Sequence, residues 1–154
     1  MEISDRAVEN ILGTWPVGVL STYGRESIHS VPIVFVPVDG DVYTPVDGKP
    51  KSGRRLQRIV DIERDPRFTL LLQNYSEDWT ELWWLRLSGR AGIVADDEAD
   101  GSTERVVACL RAKYVPYEQT TVLAGAGELI RLTLSAQTAW AWQGVDWLER
   151  RFTR

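Results

Sequence analysis

The reading of the fold rests on residues 28–44, Ile28-His29-Ser30-Val31-Pro32-Ile33-Val34-Phe35-Val36-Pro37-Val38-Asp39-Gly40-Asp41-Val42-Tyr43-Thr44. β-Branched and aromatic residues dominate the run, which predicts a strand over Ile28–Val36. Pro32 lies inside it and has no N–H for a ladder, so this strand is an edge or carries a bulge. Asp39-Gly40 is a strong hairpin signal, and Asp41–Thr44 returns as the next strand. Working outward, Val17–Tyr23 reads as a strand closed by a turn at Gly24-Arg25. Downstream, Phe68–Tyr75, Leu82–Val94 and Glu128–Thr138 complete a set of six strands. Gly89 and Gly92 interrupt the longest of them.

The helices fall between these strands. Ser4 caps a helix over Asp5–Leu12 that Gly13 is expected to stop. A second is predicted from Gly53 to Arg64, with Leu56, Ile59, Val60 and Glu63 at helical spacing and Pro66 beyond its end. Asp96–Gly101 reads as an acidic loop before a third helix, which opens at Ser102 or Thr103 and shows Val106, Val107, Leu110 and Tyr114 on one face. Residues 115–127 read as irregular, and a terminal helix is expected over Asp146–Phe152. Hairpins dominate and βαβ alternation is missing, which favours a barrel over a doubly wound sheet. The expectation is a mainly β, α+β single domain over residues 1–154.

Composition narrows the function classes. The chain has 154 residues, 44% hydrophobic and 26% charged, with a formal net charge of -4. Mild acidity argues against general nucleic-acid binding, which needs a basic face. Cys109 is the sole cysteine, so neither an intramolecular disulfide nor a CxxC site is available. No apolar run reaches the ~20 residues of a membrane span, and the N-terminus lacks a signal-peptide pattern. The expected location is the cytoplasm. His29 is the only histidine and lacks partners at ligand spacing, so a metal site is not expected. His29 and Cys109 both read as structural, and no nucleophile-elbow motif supports Ser-His-Asp chemistry.

The sharpest chemical signal follows Thr44. Lys49, Lys51, Arg54, Arg55 and Arg58 are five cations within ten residues, with no acid among them. They span a turn and a predicted helix start, where unpaired backbone N–H groups and the helix dipole favour an anion such as phosphate. Gly48 and Gly53 permit close backbone approach there. A solvated charge run is the plainer alternative. The second notable stretch is Trp79-Thr80-Glu81-Leu82-Trp83-Trp84-Leu85-Arg86. Alternation on a strand sends Trp83 and Trp84 to opposite faces, one into the core and one to a ligand or a subunit.

Taken together, the strand order, Pro32, Tyr43-Thr44 and the Lys/Arg turn resemble the pyridoxamine 5′-phosphate oxidase-like split β-barrel superfamily. The segments Val46-Asp47-Gly48-Lys49-Pro50-Lys51 and Trp79 to Arg86 are most similar to a branch classed as F420-dependent oxidoreductases. The resemblance spans about Val17 to Thr138 and implies a six-stranded antiparallel split barrel with peripheral helices, working as a homodimer. It implies a flavin or deazaflavin ring against the second and third strands. Ser30, Val31, Pro32 and Ile33 would contact the ring through their backbone, and Tyr43 and Thr44 would lie near the ring and its ribityl chain. Lys49, Lys51, Arg54 and Arg55 would hold the phosphate and anionic tail. Trp79, Trp83 and Arg86 would reach the site from the partner subunit.

The expected activity is hydride transfer from reduced coenzyme F420 to a small conjugated or quinone-like acceptor. An FMN enzyme and a non-catalytic carrier are the alternatives. The cofactor supplies the redox chemistry, in keeping with a sequence that shows no acid–base pair. A second cationic set for a pyridoxamine phosphate substrate is not recognised, so vitamin B6 oxidation is not expected.

Overall fold

A computed structural model describes residues 2–46, 56–94, 101–118, 122 and 128–154. Seven strands form one antiparallel sheet: β1 (Gly18–Tyr23), β2 (Ile28–Ile33), β3 (Val36–Val38), β4 (Asp41–Pro45), β5 (Arg67–Asn74), β6 (Trp83–Val94) and β7 (Leu129–Ala141). Their order is β2-β1-β5-β6-β7-β4-β3. The helices are α1 (Asp5–Thr14), α2 (Gln57–Arg64), α3 (Ser102–Lys113) and α4 (Val145–Thr153). Two features correct the sequence expectation. Among the described residues the strands number seven instead of six, and the sheet does not close, because β2 and β3 remain as its edges.

The extra strand arises where Ile28–Val36 was expected to run unbroken. At Phe35 the chain leaves the ladder. The Phe35 N–H donates to the Tyr114 hydroxyl at 3.1 Å, and its carbonyl accepts from Lys113 Nζ at 2.9 Å. Side chains at the end of α3 thus replace a neighbouring strand as partners for this backbone, which satisfies its polar groups at a corner. Lys113 Nζ also donates to Leu12 O at 2.7 Å and sits 3.8 Å from the Phe35 ring centroid, while the Tyr114 hydroxyl donates to Pro16 O at 2.8 Å. The hairpin that follows is as expected. Asp39 and Gly40 both have positive φ, 52° and 85°, the pair of left-handed residues that a two-residue I′ turn requires.

The remaining elements follow their patterns with small shifts. The Ser4 hydroxyl accepts from Ala7 N, capping α1, but Gly13 does not stop the helix, which continues to Thr14. The buried stripe of α2 is Ile59, Asp61 and Ile62, so Val60 points outward instead of joining it. The expected start of this helix at Gly53 lies outside the described residues. One core lies between the sheet, α1, α2 and α4, and includes Ile11, Leu20, Phe35, Leu70, Leu85 and Ile130. A second core joins β3 and β4 to α3 through Val36, Tyr43, Val106, Leu110 and Leu129. Among the described residues no helix is long and apolar enough to cross a membrane.

Two predictions follow from this packing. The β6–β7 register shifts between Ser88 and Gly89, and a Cβ on Gly89 would lie 1.9 Å from Thr133 O. Gly89→Ala should therefore destabilise the fold by roughly 1–3 kcal/mol, read by urea denaturation. Burial pushes the Lys113 ammonium down to about 7. Between that value and the ordinary ~10.4 the unfolded chain binds more protons, so the Lys113 contribution to stability rises with pH across this window. The wild-type advantage over Lys113→Met should accordingly grow from about pH 7 to about pH 10.

Candidate functional site

The sheet's departure from closure leaves a seam, and a cavity of about 210 Å³ lies in it. Its lining comes from the end of β2 and the residue after it (Pro32, Ile33, Val34), the end of β4 (Thr44, Pro45), Val17 and Arg58 of α2. Three of the residues expected around a cofactor, Pro32, Ile33 and Thr44, are thus brought together although they come from opposite wings of the sheet. Arg58 is the member of the five-cation group that falls within the described residues. Lys49, Lys51, Arg54 and Arg55 lie outside them.

The other expected residues sit elsewhere. Alternation on β4 turns Tyr43 away from Thr44 and into the second core, where its hydroxyl accepts from Arg131 Nε at 3.1 Å. Ser30 and Pro32 face outward, with Ser30 Oγ 2.8 Å from Ser21 Oγ, whereas Val31 and Ile33 turn inward. Arg86 is exposed on the face that Pro32 shares, along the row Pro32, Val19, Leu71, Arg86. That row spans three strand spacings, about 14 Å. The Arg86 guanidinium lies 5.3 Å from the Trp84 ring. Trp83 is 2% exposed and packs edge-on against Trp15 and Phe152 at centroid distances of 4.6 and 5.5 Å. In its own chain this indole is a core residue. Trp79 is 56% exposed and meets Trp142 at 5.9 Å.

A polar cluster that the sequence did not disclose lies beside the β1–β2 turn. Asp61 is buried on α2, and its carboxylate accepts from Thr22 Oγ1 at 2.8 Å and Gln57 Nε2 at 2.8 Å. His29 Nδ1 lies 2.6 Å from Asp61 Oδ2. Burial raises the Asp61 pKa, but hydrogen bonds from Gln57, His29 and Thr22 outweigh it and hold the carboxyl below its usual range. The available signal was an acid on the apolar stripe of α2, between Ile59 and Ile62.

A larger cavity, about 690 Å³, is elsewhere and has acidic walls, with Glu2, Asp5, Glu9 and Asp41 in its lining. Four carboxylates oppose a phosphate-bearing ligand there, so size alone does not identify the site. The seam cavity is the smaller one, but it has the cation and the residues of both wings.

No protein-family model matches the chain, and no curated protein matches it. Solved structures do. A conserved hypothetical protein of Mycobacterium tuberculosis aligns with a TM-score of 0.71 at 21% identity, covering 92% of this chain and 86% of the other. An FAD-binding protein of Mesorhizobium loti aligns with a TM-score of 0.65 at 15% identity, covering 89% and 94%. A candidate pyridoxamine 5′-phosphate oxidase of Listeria innocua aligns with a TM-score of 0.59 at 19% identity, covering 86% and 94%. At such identities the likeness speaks to architecture. The chain shares with these proteins its mainly β, α+β fold, an antiparallel sheet with helices packed on it.

Proposed function

We propose that this chain is one subunit of a homodimeric oxidoreductase that holds a flavin-type cofactor at the seam between β2 and β4. The observation that carries this reading is the cavity uniting Pro32, Ile33 and Thr44 with Arg58. A fold shared with an FAD-binding protein supports the same class of ligand. Deazaflavin coenzyme F420 and FMN both belong to that class. F420 is the more anionic, which five nearby cations in the sequence favour.

The chain's own residues would bind and orient. Among the described residues strand β2 pairs with β1 alone, and alternation along it leaves the Ser30 N–H and C=O and the Pro32 C=O on its outer edge, where they would meet the polar edge of a ring. Thr44 and Pro45 would wall the opposite side. Arg58, with Lys49, Lys51, Arg54 and Arg55 of the preceding segment, would hold the phosphate end through charge-assisted contacts. When bound, the cofactor supplies the hydride chemistry. One chain's cavity of about 210 Å³ is below the ~300–1,000 Å³ of usual ligand pockets, in keeping with a site that a second subunit completes. The face bearing Trp84, Arg86 and the 42% exposed Trp140 offers aromatic area for that contact, with Trp79 beside it as a further candidate.

Equilibrium titration with FMN and with F420 tests the proposal. At least one should bind with Kd below roughly 100 µM. Arg58→Ala should weaken that binding by about 1.5–3 kcal/mol with the circular dichroism spectrum unchanged. The double variant Lys51→Ala/Arg55→Ala should lose affinity as well. Failure of both cofactors to bind would sink the reading, and unaltered affinity in all variants would displace the phosphate end from this position.

A further inference from the structure

The cluster at the β1–β2 turn has a third member beyond Asp61 and His29. Ser27 Oγ lies 3.4 Å from His29 Nε2, and His29 Nδ1 lies 2.6 Å from Asp61 Oδ2. We propose that Ser27, His29 and Asp61 form an acyl-transfer site, separate from the seam, that hydrolyses small activated esters.

The protonation pattern follows from the partners. An ionised carboxylate only accepts, and Asp61 already accepts hydrogen bonds from Thr22 and Gln57, so the hydrogen between Asp61 and His29 resides on Nδ1. Nε2 then presents its lone pair to the Ser27 hydroxyl. This is the arrangement of nucleophile, base and orienting acid that acyl transfer uses, recognised by geometry instead of position in the chain. The Ser27–His29 separation is longer than a tight hydrogen bond, as nucleophile–base pairs often are without substrate. Asp61 is rigidly set, its side chain 2% exposed, whereas that of His29 is 41% exposed and can meet a substrate.

The turn itself is built around the imidazole. Gly24 N donates to Ser27 O at 2.9 Å, and a Cβ on Gly24 would lie 2.3 Å from His29 Cε1. Only glycine lets the ring lie against this turn. A cavity of about 340 Å³ opens beside it, with Arg25, Ser27, His29, Val60 and Arg64 in its lining. Arg64 already donates to Tyr23 O. Arg25, also in the lining, would meet negative charge developing on a substrate carbonyl oxygen.

The steps balance without a cofactor. Ser27 Oγ bonds to the ester carbonyl carbon as its proton passes to Nε2 of His29. The carbon–oxygen bond to the alcohol breaks, and His29 returns the proton to the leaving alkoxide. Water then attacks the acyl-Ser27 ester, giving its proton to His29, and the carboxylic acid departs as Ser27 Oγ is reprotonated. Asp61 is a positioning residue throughout.

The full chain is assayed with p-nitrophenyl acetate, without flavin, so the outcome is independent of the seam reading. Wild type should release nitrophenol with acetyl on Ser27, located by peptide mass spectrometry. A fluorophosphonate probe should label the same residue. Ser27→Ala and His29→Ala should each lower the rate at least about tenfold. Asp61→Asn should lower kcat with KM held within about twofold. Rates unchanged in Ser27→Ala, or labelling at another residue, would overturn the proposal. If Asp61→Asn unfolds, the exposed-turn variant Ser27→Ala still decides it.

Discussion

The corner at Phe35 is the constraint on which the architecture depends. Strands β2 and β3 are adjacent in sequence, yet they occupy opposite edges of a seven-stranded sheet. Two intervening residues can span that separation only if the sheet curls until its edges approach each other. Leaving the ladder at Phe35 strips its backbone of strand partners. Lys113 and Tyr114 supply replacements, and the Phe35 side chain is fully buried beneath them. The corner therefore ties α3 to both wings of the sheet, and the long β6–β7 pairing spans the distance between those wings.

The seam is a result of that curl. A fully closed barrel would join the edge strands β2 and β3 through ladder hydrogen bonds. Here the edges converge without pairing, and the space is lined by Pro32, Ile33, Thr44 and Arg58. The β1–β2 turn is distant along the same hairpin and carries a different chemistry, because α2 brings Asp61 to His29 on the sheet's inner side. One short helix thus serves both places. Arg58 in its first turn faces the seam, and Asp61 one turn later is buried under the hairpin.

What was legible in the chain was local. Asp39-Gly40 specified a hairpin because both residues tolerate positive φ, and Pro32 marked an edge because it lacks a donor. The alternation in Leu129–Leu134 marked a half-buried strand. Other features depended on distant partners. The split after Ile33 could not be read from a continuous apolar run, since the groups that capture Phe35 lie 78 and 79 residues away. The role of Asp61 could not be read from its own helix, because Thr22 and His29 come from another part of the chain. Tyr43 and Thr44 were read together, but strand alternation sends one to the second core and the other to the seam.

Among the described residues both edge strands contain a proline, Pro32 in β2 and Pro37 in β3. A sheet that stays open invites other chains to extend it in its own plane, the route to fibrous self-association. Each proline removes a donor from its edge strand and interrupts any template that an incoming strand would need. The openness that creates the seam is thus paired with edges poorly suited to in-plane growth.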